Sequence, residues 1–552
     1  MSCRELKSWR KGIGVFFVLL WIATVASALY WLAMHAASIG RVKARPLRVL
    51  LLIIEVLIPL IGLGLFALFA TNLKLTKDIE PTRFGCALSL VLAYVAGAIL
   101  ILFRGRCRKG NLRPTAAEWR VLPLAMGWLA SSIAWCLIFA HMDRAVLGQY
   151  ADARSRARAR YLANMTPDTP QAATAAGLYK KAFARLALDP DTEIDNLPPM
   201  GSSDFNIDDP AITSYLTREQ PSIAYLRQAA TIPECRFDQD TAEPDISNLA
   251  PDGPQERQAG VLLGLDARKE VERGRVASAM TDIAAEFALA RKVGQRSTVV
   301  QGLVGAGIDA LASDALEAAL PAIKSKDDLD PLHIDDLPPF SGEFQQALRG
   351  ELWFDLTLFD MTTTSASPAR INTPFANGPG LMSPGISGLA FVRVFYVDVD
   401  QVVQYMRTIE DISAQPYYKI PDQLRDIDQQ RHHLGIGAIF FPSMLKALAA
   451  ATRAETTESC ARVAVAMTRY RLDHGAPPTK LDQLVPAYLD TVPIDPYDGN
   501  PLRLNAVGGA LVIYSIGPDG MDNGGVPIDE RTGQGDIIFT LRPAAASAGT
   551  NP

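Results

Sequence analysis

Four apolar runs dominate the first part of the chain, at residues 13–34, 49–70, 84–103 and 121–140. Each has about the 20 residues an α-helix needs to cross a hydrocarbon core roughly 30 Å thick. They predict a four-helix transmembrane domain over residues 1–142. The first run has basic flanks like a signal peptide, but it is long and three more spans follow. Trp21, Trp31, Trp119, Trp128 and Trp135 fall largely toward span ends, where interfacial anchors sit.

Beyond the spans the apolar positions change to a 3.6-residue period, predicting an α-helical domain over 143–435. Residues 143–162 form an Ala/Arg-rich helix that extends the fourth span, and 217–231 form another. The clearest hairpin is 260–273, a break at Gly274, and 275–293 with Val276, Met280, Ile283 and Phe287 on one face. A helix over 297–320 stops at Pro321, and two more cover 398–414 and 423–435. Residues 189–209 and 231–254 read as loops. The Pro-, Gly- and Ser-rich run 368–388 is a lid or a plain linker, the linker being commoner.

The most informative stretch is 457–541. Cys460, Val463, Met467 and Tyr470 make one helical face, with Glu458, Arg462, Arg469 and Arg471 largely opposite. Gly475 and Pro477-Pro478 end the helix. A short helix over 481–489 leads into the turn-forming run 493–501, and strands over 502–505 and 510–516 meet at Gly508-Gly509 as a hairpin. The glycine-rich loop that follows carries Asp519, Asp522, Asp529, Glu530 and Asp536 against Arg531. Hard oxygen donors in a flexible array suit calcium, although the spacing is not that of an EF-hand. An acidic, solvated loop without metal is the alternative.

Three segments of this stretch resemble the C-terminal domain of the major pseudopilin of type II secretion: Tyr470-Arg471-Leu472-Asp473-His474-Gly475, the Asp495-Pro496…Gly499…Pro501 turn, and Tyr514-Ser515-Ile516-Gly517-Pro518-Asp519-Gly520. The resemblance implies a helix followed by a small antiparallel sheet, with calcium in the last loop. By position it implies Asp519 and Asp536 as loop acids, Asp522 as a third ligand, and the backbone carbonyls of Ser515 and Ile516. It covers 436–541 at most, and here that domain ends a long chain instead of following a cleaved leader. Residues 436–450, with Pro442, are too short to span a bilayer. The helix–glycine–helix layout is similar to tetratricopeptide-like pairs, which present concave surfaces to partners. No fixed period is present, and an irregular helical domain fits equally well. The order of parts is similar to that of a family of bacterial multi-pass membrane proteins.

The fold class expected is therefore mainly α: a four-helix transmembrane domain, an α-helical middle domain and a small α+β terminal domain, with 542–552 as a disordered tail. The implied place is the bacterial inner membrane. Basic residues in the loops after spans one and three put those loops in the cytoplasm and the C-terminal region in the periplasm, against the vote of Arg4, Lys7, Arg10 and Lys11. A net charge of −5 gives no nucleic-acid signal. Cys235 and Cys460 are the thiols outside the membrane region, either bridged or separately buried. Glu55, inside the second span, is a structural protonated glutamate or an ion-pathway residue.

The catalytic inventory is thin. His432-His433 are adjacent and point to different helix faces, and no zinc-protease, nucleophile-elbow, C-x-x-C or Walker pattern occurs. Gly302, Gly305 and Gly307 lie within a helical pattern, which predicts close helix packing. Asp327-Asp328 and Asp335-Asp336 read as solvated loop acids. The function expected is a membrane-anchored binding or scaffold protein that meets the bilayer and, through its helices, a protein partner. An envelope enzyme working near 368–388 and a four-span sensor or transporter using Glu55 are the alternatives.

Overall fold

The computed structural model describes residues 146–188, 205–237, 252–338, 340–364, 399–420, 444–529 and 531–543, together with 423, 426 and 427. The four apolar runs, Glu55, His432-His433, the 368–388 loop and the tail beyond 543 lie outside the described residues. The chain divides into two compact units, Met1–Gln149 with Asp360–Asp398, and Tyr150–Phe359 with Val399–Pro552. Nearly all described residues belong to the second.

The described chain is mainly helical. Helix α1 covers 146–163. It is followed by α2 (Pro170–Leu188), α3 (Pro210–Arg218), α4 (Gln220–Ala230), α5 (Gly253–Glu272), α6 (Val276–Gly294), α7 (Val299–Ala319), α8 (Phe340–Thr364), α9 (Val399–Ser413) and α10 (Met444–His474). The 217–231 pattern resolves into two helices. Asp209 caps α3 by accepting from the Ala211 amide at 2.8 Å, with Pro210 at the first turn, and the chain restarts after Glu219. The predicted hairpin is α5–α6. Gly274, at φ +72°, closes α5 as its amide donates to the Val271 carbonyl and that of Arg275 to the Glu270 carbonyl.

Helix α6 is buried on both sides. Met280, Ile283 and Phe287, the predicted face, join Leu316, Met467 and Phe539 in one core. Ala285, Leu289, Ala290 and Val293 join Tyr179, Tyr215, Leu226 and Leu262 in a second. Its many alanines let α5 and α7 approach from either side. Gly305 is the closest approach: a Cβ there would lie 2.6 Å from the Gly294 Cα. Gly302 faces Phe344 and Ala347 of α8, with a Cβ 3.3 Å from each. Gly307 does not belong with them, because a Cβ on it would meet nothing within 4 Å. Among the described residues one helix, Val299–Ala322, is long and apolar enough by length and composition to cross a membrane, and 61% of its apolar window is buried in this packing.

The terminal sheet has the order β1 (Arg503–Val507), β2 (Ala510–Ser515), β3 (Ile537–Leu541), all antiparallel. Gly508 and Gly509, at φ +59° and +84°, form the two-residue turn between β1 and β2. In place of a helix over 481–489 there is a short 3-10 turn, Leu481–Leu484. The third strand, which the sequence pattern did not single out, pairs Ile537–Leu541 with Leu511–Ser515. It also packs on α10 and α7, and the Thr540 amide donates to Glu317 Oε2 of α7 at 2.9 Å.

Described residues on both sides of the expected boundary near 435 meet in one core. Residues 460–467 of α10 share a core with residues of α5, α6 and α7. The charged face of α10 is the reason. Glu458 is buried against Arg291, Arg462 donates to the Leu337 carbonyl at 2.6 Å, and Arg471 donates to the Ile323 carbonyl at 3.0 Å. A face that reads as solvent-facing is docked on the segment that follows α7.

Candidate functional site

The acidic terminal loop is held by its own backbone. Asp519 Oδ1 accepts from the Met521 amide at 2.9 Å, and its Oδ2 accepts from the Gly535 amide at 2.9 Å and from Asn523 Nδ2 at 3.1 Å. Those amide donors, Gly535 first, hold its carboxyl below the usual range. Asp536, 1% exposed, accepts from the Asn523 amide at 3.2 Å and the Gly525 amide at 2.6 Å. Gly535 must be glycine: at φ +125° a Cβ would lie 2.6 Å from the Pro527 carbonyl oxygen.

Asp522 is turned the other way. It accepts from Tyr514 Oη at 3.2 Å and the Gly524 amide at 2.9 Å, and pairs with Arg503 at 3.3 Å. Ser515 and Ile516 face Asp495, a residue the sequence pattern placed in a mere turn. Asp495 is fully buried and accepts from Ser515 Oγ at 2.7 Å, the Ile516 amide at 2.9 Å, the Tyr497 amide at 2.9 Å and Arg503 at 3.0 Å. It ties the 493–501 turn to the end of β2.

The five expected calcium ligands therefore form two groups. Asp519 and Asp536 share Asn523 as a donor, whereas Asp522 points to Arg503, and Ser515 and Ile516 meet Asp495 through Oγ and N–H, not through the carbonyls expected as ligands. Among the described residues no group of three or more His, Cys, Asp and Glu gathers where a metal ion would be held. Asp519 Oδ1 and both Asp536 oxygens each accept one amide and keep a second lone pair that could face a cation. Asp522 does not fit without leaving Arg503.

Charges buried among the helices were missed from sequence. Arg291 of α6, 4% exposed at its side chain, donates to Asp309 of α7 at 2.7 Å and to Glu458 of α10. Glu458 also accepts from Arg462 at 2.6 Å. Two cations and two anions thus lock three helices. Glu286 is different: it is fully buried and neither carboxyl oxygen has a hydrogen-bond partner. Burial, followed by the charges of Asp314 and Asp282, pushes its carboxyl well above the usual range. On α8, Glu351 accepts from the first amide of α7, that of Val299, at 2.7 Å. Burial raises it to about 7, and burial plus the neighbouring Glu351 holds Asp355 well above the usual range. The visible signal for Asp282 and Glu286 is four-residue spacing on a helix whose remaining positions are mostly alanine and larger apolar residues.

Cys235 and Cys460 are buried in separate cores and are not bridged to each other. Asp335 and Asp336 are exposed as expected, Asp335 pairing with Arg469 at 2.5 Å. No family model matches the chain, and no curated protein or solved structure matches it either.

Proposed function

We propose that the chain is a membrane-anchored binding or scaffold protein of the bacterial envelope. In this reading residues 1–142 form a four-helix bundle in the inner membrane, and the helical unit faces the periplasm. The middle helices act as tetratricopeptide-like pairs toward a protein partner, and the pseudopilin-like terminal segment braces them. One observation carries the reading: α10 and β3 are packed into the helical core, with Cys460 to Met467 of α10 buried nearly all round. Residues so enclosed have no face left to assemble copies into a fibre, so this stretch of the terminal segment serves its own chain. Calcium belongs to this proposal at Asp519 and Asp536, supported by their common donor Asn523.

The decisive experiment is purification from membranes after cross-linking in cells. A protein partner recovered in fixed stoichiometry through the helical unit is the expected result; turnover of a substrate by the isolated chain would replace this reading with an enzyme. An alkaline-phosphatase fusion after Asp143 should be active, and one at residue 110 inactive. For the metal, calcium at a hundred times its Kd should add about 2.7 kcal/mol to the stability of the metal-free chain. Asp519→Ala and Asp536→Ala should abolish the gain, and Asp522→Ala should keep most of it. Absence of calcium binding at millimolar concentration by calorimetry removes the metal from the proposal.

A further inference from the structure

A cleft of about 400 Å³ opens between α3–α4, the end of α5 and the start of α6. Its floor is ionic. Asp282, fully buried, takes both Nε and Nη2 of Arg227 at 2.5 and 2.7 Å, and Asp266, 2% exposed, takes Nη2 at 3.0 Å through its Oδ2. One guanidinium faces two carboxyl groups, both raised by burial, Asp282 to about 7, so the floor carries an excess negative charge once Asp282 is ionised. Asp266 Oδ1 is buried and has no donor, and Asp266 lines the cleft. A buried carboxylate oxygen without a donor costs desolvation that nothing returns.

The rim has the opposite balance. Glu270, one turn after Asp266 on α5, accepts from Arg273 at 3.0 Å and from Arg275 Nε at 2.5 Å. Two guanidiniums there face one carboxylate. Both arginine side chains are about half exposed, 43% and 56%, and each keeps further N–H groups beyond those bonds. Asp266 and Glu270 lie about 6 Å apart along the α5 axis, four residues at roughly 1.5 Å each, and Glu270 holds the two rim arginines beyond it.

We propose that this cleft binds a small soluble zwitterion of the ω-amino-acid type, its ammonium group on Asp266 Oδ1 and its carboxylate on Arg273 and Arg275. A lone cation would leave the rim unmatched, and a lone anion would meet the negative floor. An ammonium supplies the missing donor and the missing positive charge together. A carboxylate accepts from two guanidiniums in the geometry that arginine favours. Thr217, Gln220 and Ser278 line the same space and offer polar groups to the chain between the two charges. The site is separate from the terminal loop and does not depend on the membrane reading.

The test uses the full chain in detergent with 4-aminobutyrate and 5-aminopentanoate as probes, and butyrate and butylamine as half-ligands. Calorimetry should show saturable binding of at least one amino acid, with each half-ligand about tenfold or more weaker. Asp266→Asn, which keeps the shape and removes the charge, should weaken amino-acid binding about ten- to a hundredfold. Arg275→Ala, at an exposed position that folding tolerates, should weaken the amino acids toward the affinity of butylamine and leave butylamine unchanged. Failure of both amino acids to bind overturns the proposal. So does butylamine binding as tightly as 4-aminobutyrate, or unchanged affinity in both variants.

Discussion

Two clusters of buried charge sit on α6, one toward each end, and they differ in access and in balance. Around Arg291 the charges are equal in number and sealed between three helices. Around Arg227 they are unequal, and the surplus opens onto a cleft. Each leaves one carboxylate oxygen without a donor, Asp309 Oδ2 in the first and Asp266 Oδ1 in the second. An orphaned acceptor is therefore not in itself the mark of a site. In the sealed cluster it is a residual cost of joining α6, α7 and α10; where space and uncompensated charge accompany it, it becomes a place for something else to sit.

The largest expected effect comes from breaking the sealed cluster. Arg291→Met leaves Asp309 and Glu458 buried without their shared cation, which should cost about 3–5 kcal/mol, read as a fall in Tm. Arg227→Met should cost less, because the Arg227 side chain is itself 31% exposed and its loss opens the two carboxyl groups toward the cleft. Equal losses would erase the distinction. Next comes the close approach that makes the sealed cluster possible. Gly305 lies one turn before Asp309, and Gly305→Ala should push α7 off α6 and cost roughly 1–3 kcal/mol.

Glu286 sharpens the comparison through pH. Its folded carboxyl is raised above the ordinary 4.5, so its contribution to stability is full below that value and is lost as pH rises through the folded value. The wild-type chain should lose more Tm between pH 5 and pH 8 than Glu286→Gln, which cannot ionise; identical slopes would show that the folded carboxyl is not raised. Gly307→Ala should have the smallest effect, a gain of up to about 1 kcal/mol, since nothing opposes the added methyl.

Much of the helical layout was legible because Gly274 and Pro321 punctuate a strong 3.6-residue period, and Gly508-Gly509 announces a two-residue turn. Less legible was anything fixed by distant partners. Asp495 looks like a turn residue until Ser515 and Arg503 meet it. Glu458 and Arg462 look solvent-facing until Arg291 and the Leu337 carbonyl arrive. The calcium set was drawn from loop composition and resemblance, but side-chain direction divided it: Arg503 draws Asp522 away from Asp519 and Asp536. One face of α6 was visible; the second was hidden because alanine marks a close-packed face only weakly. The shared core of the middle and terminal segments was hidden for the same reason that α10's charges misled, since polar residues can form an interface when their counterparts lie elsewhere in the chain.

The shared core also governs how the chain comes to be made. Phe287 and Leu316 find Met467 and Phe539 only after a long intervening stretch has been synthesised. Until then the apolar flank of α6 and α7 stands uncovered beside a nascent chain. Contacts this distant close slowly and leave exposed surface prone to aggregation. A ribosome that stops before α10 therefore releases an unfinished surface and not a smaller working protein. Removal of the last strands should be met by degradation in the cell, even with α5, α6 and α7 intact.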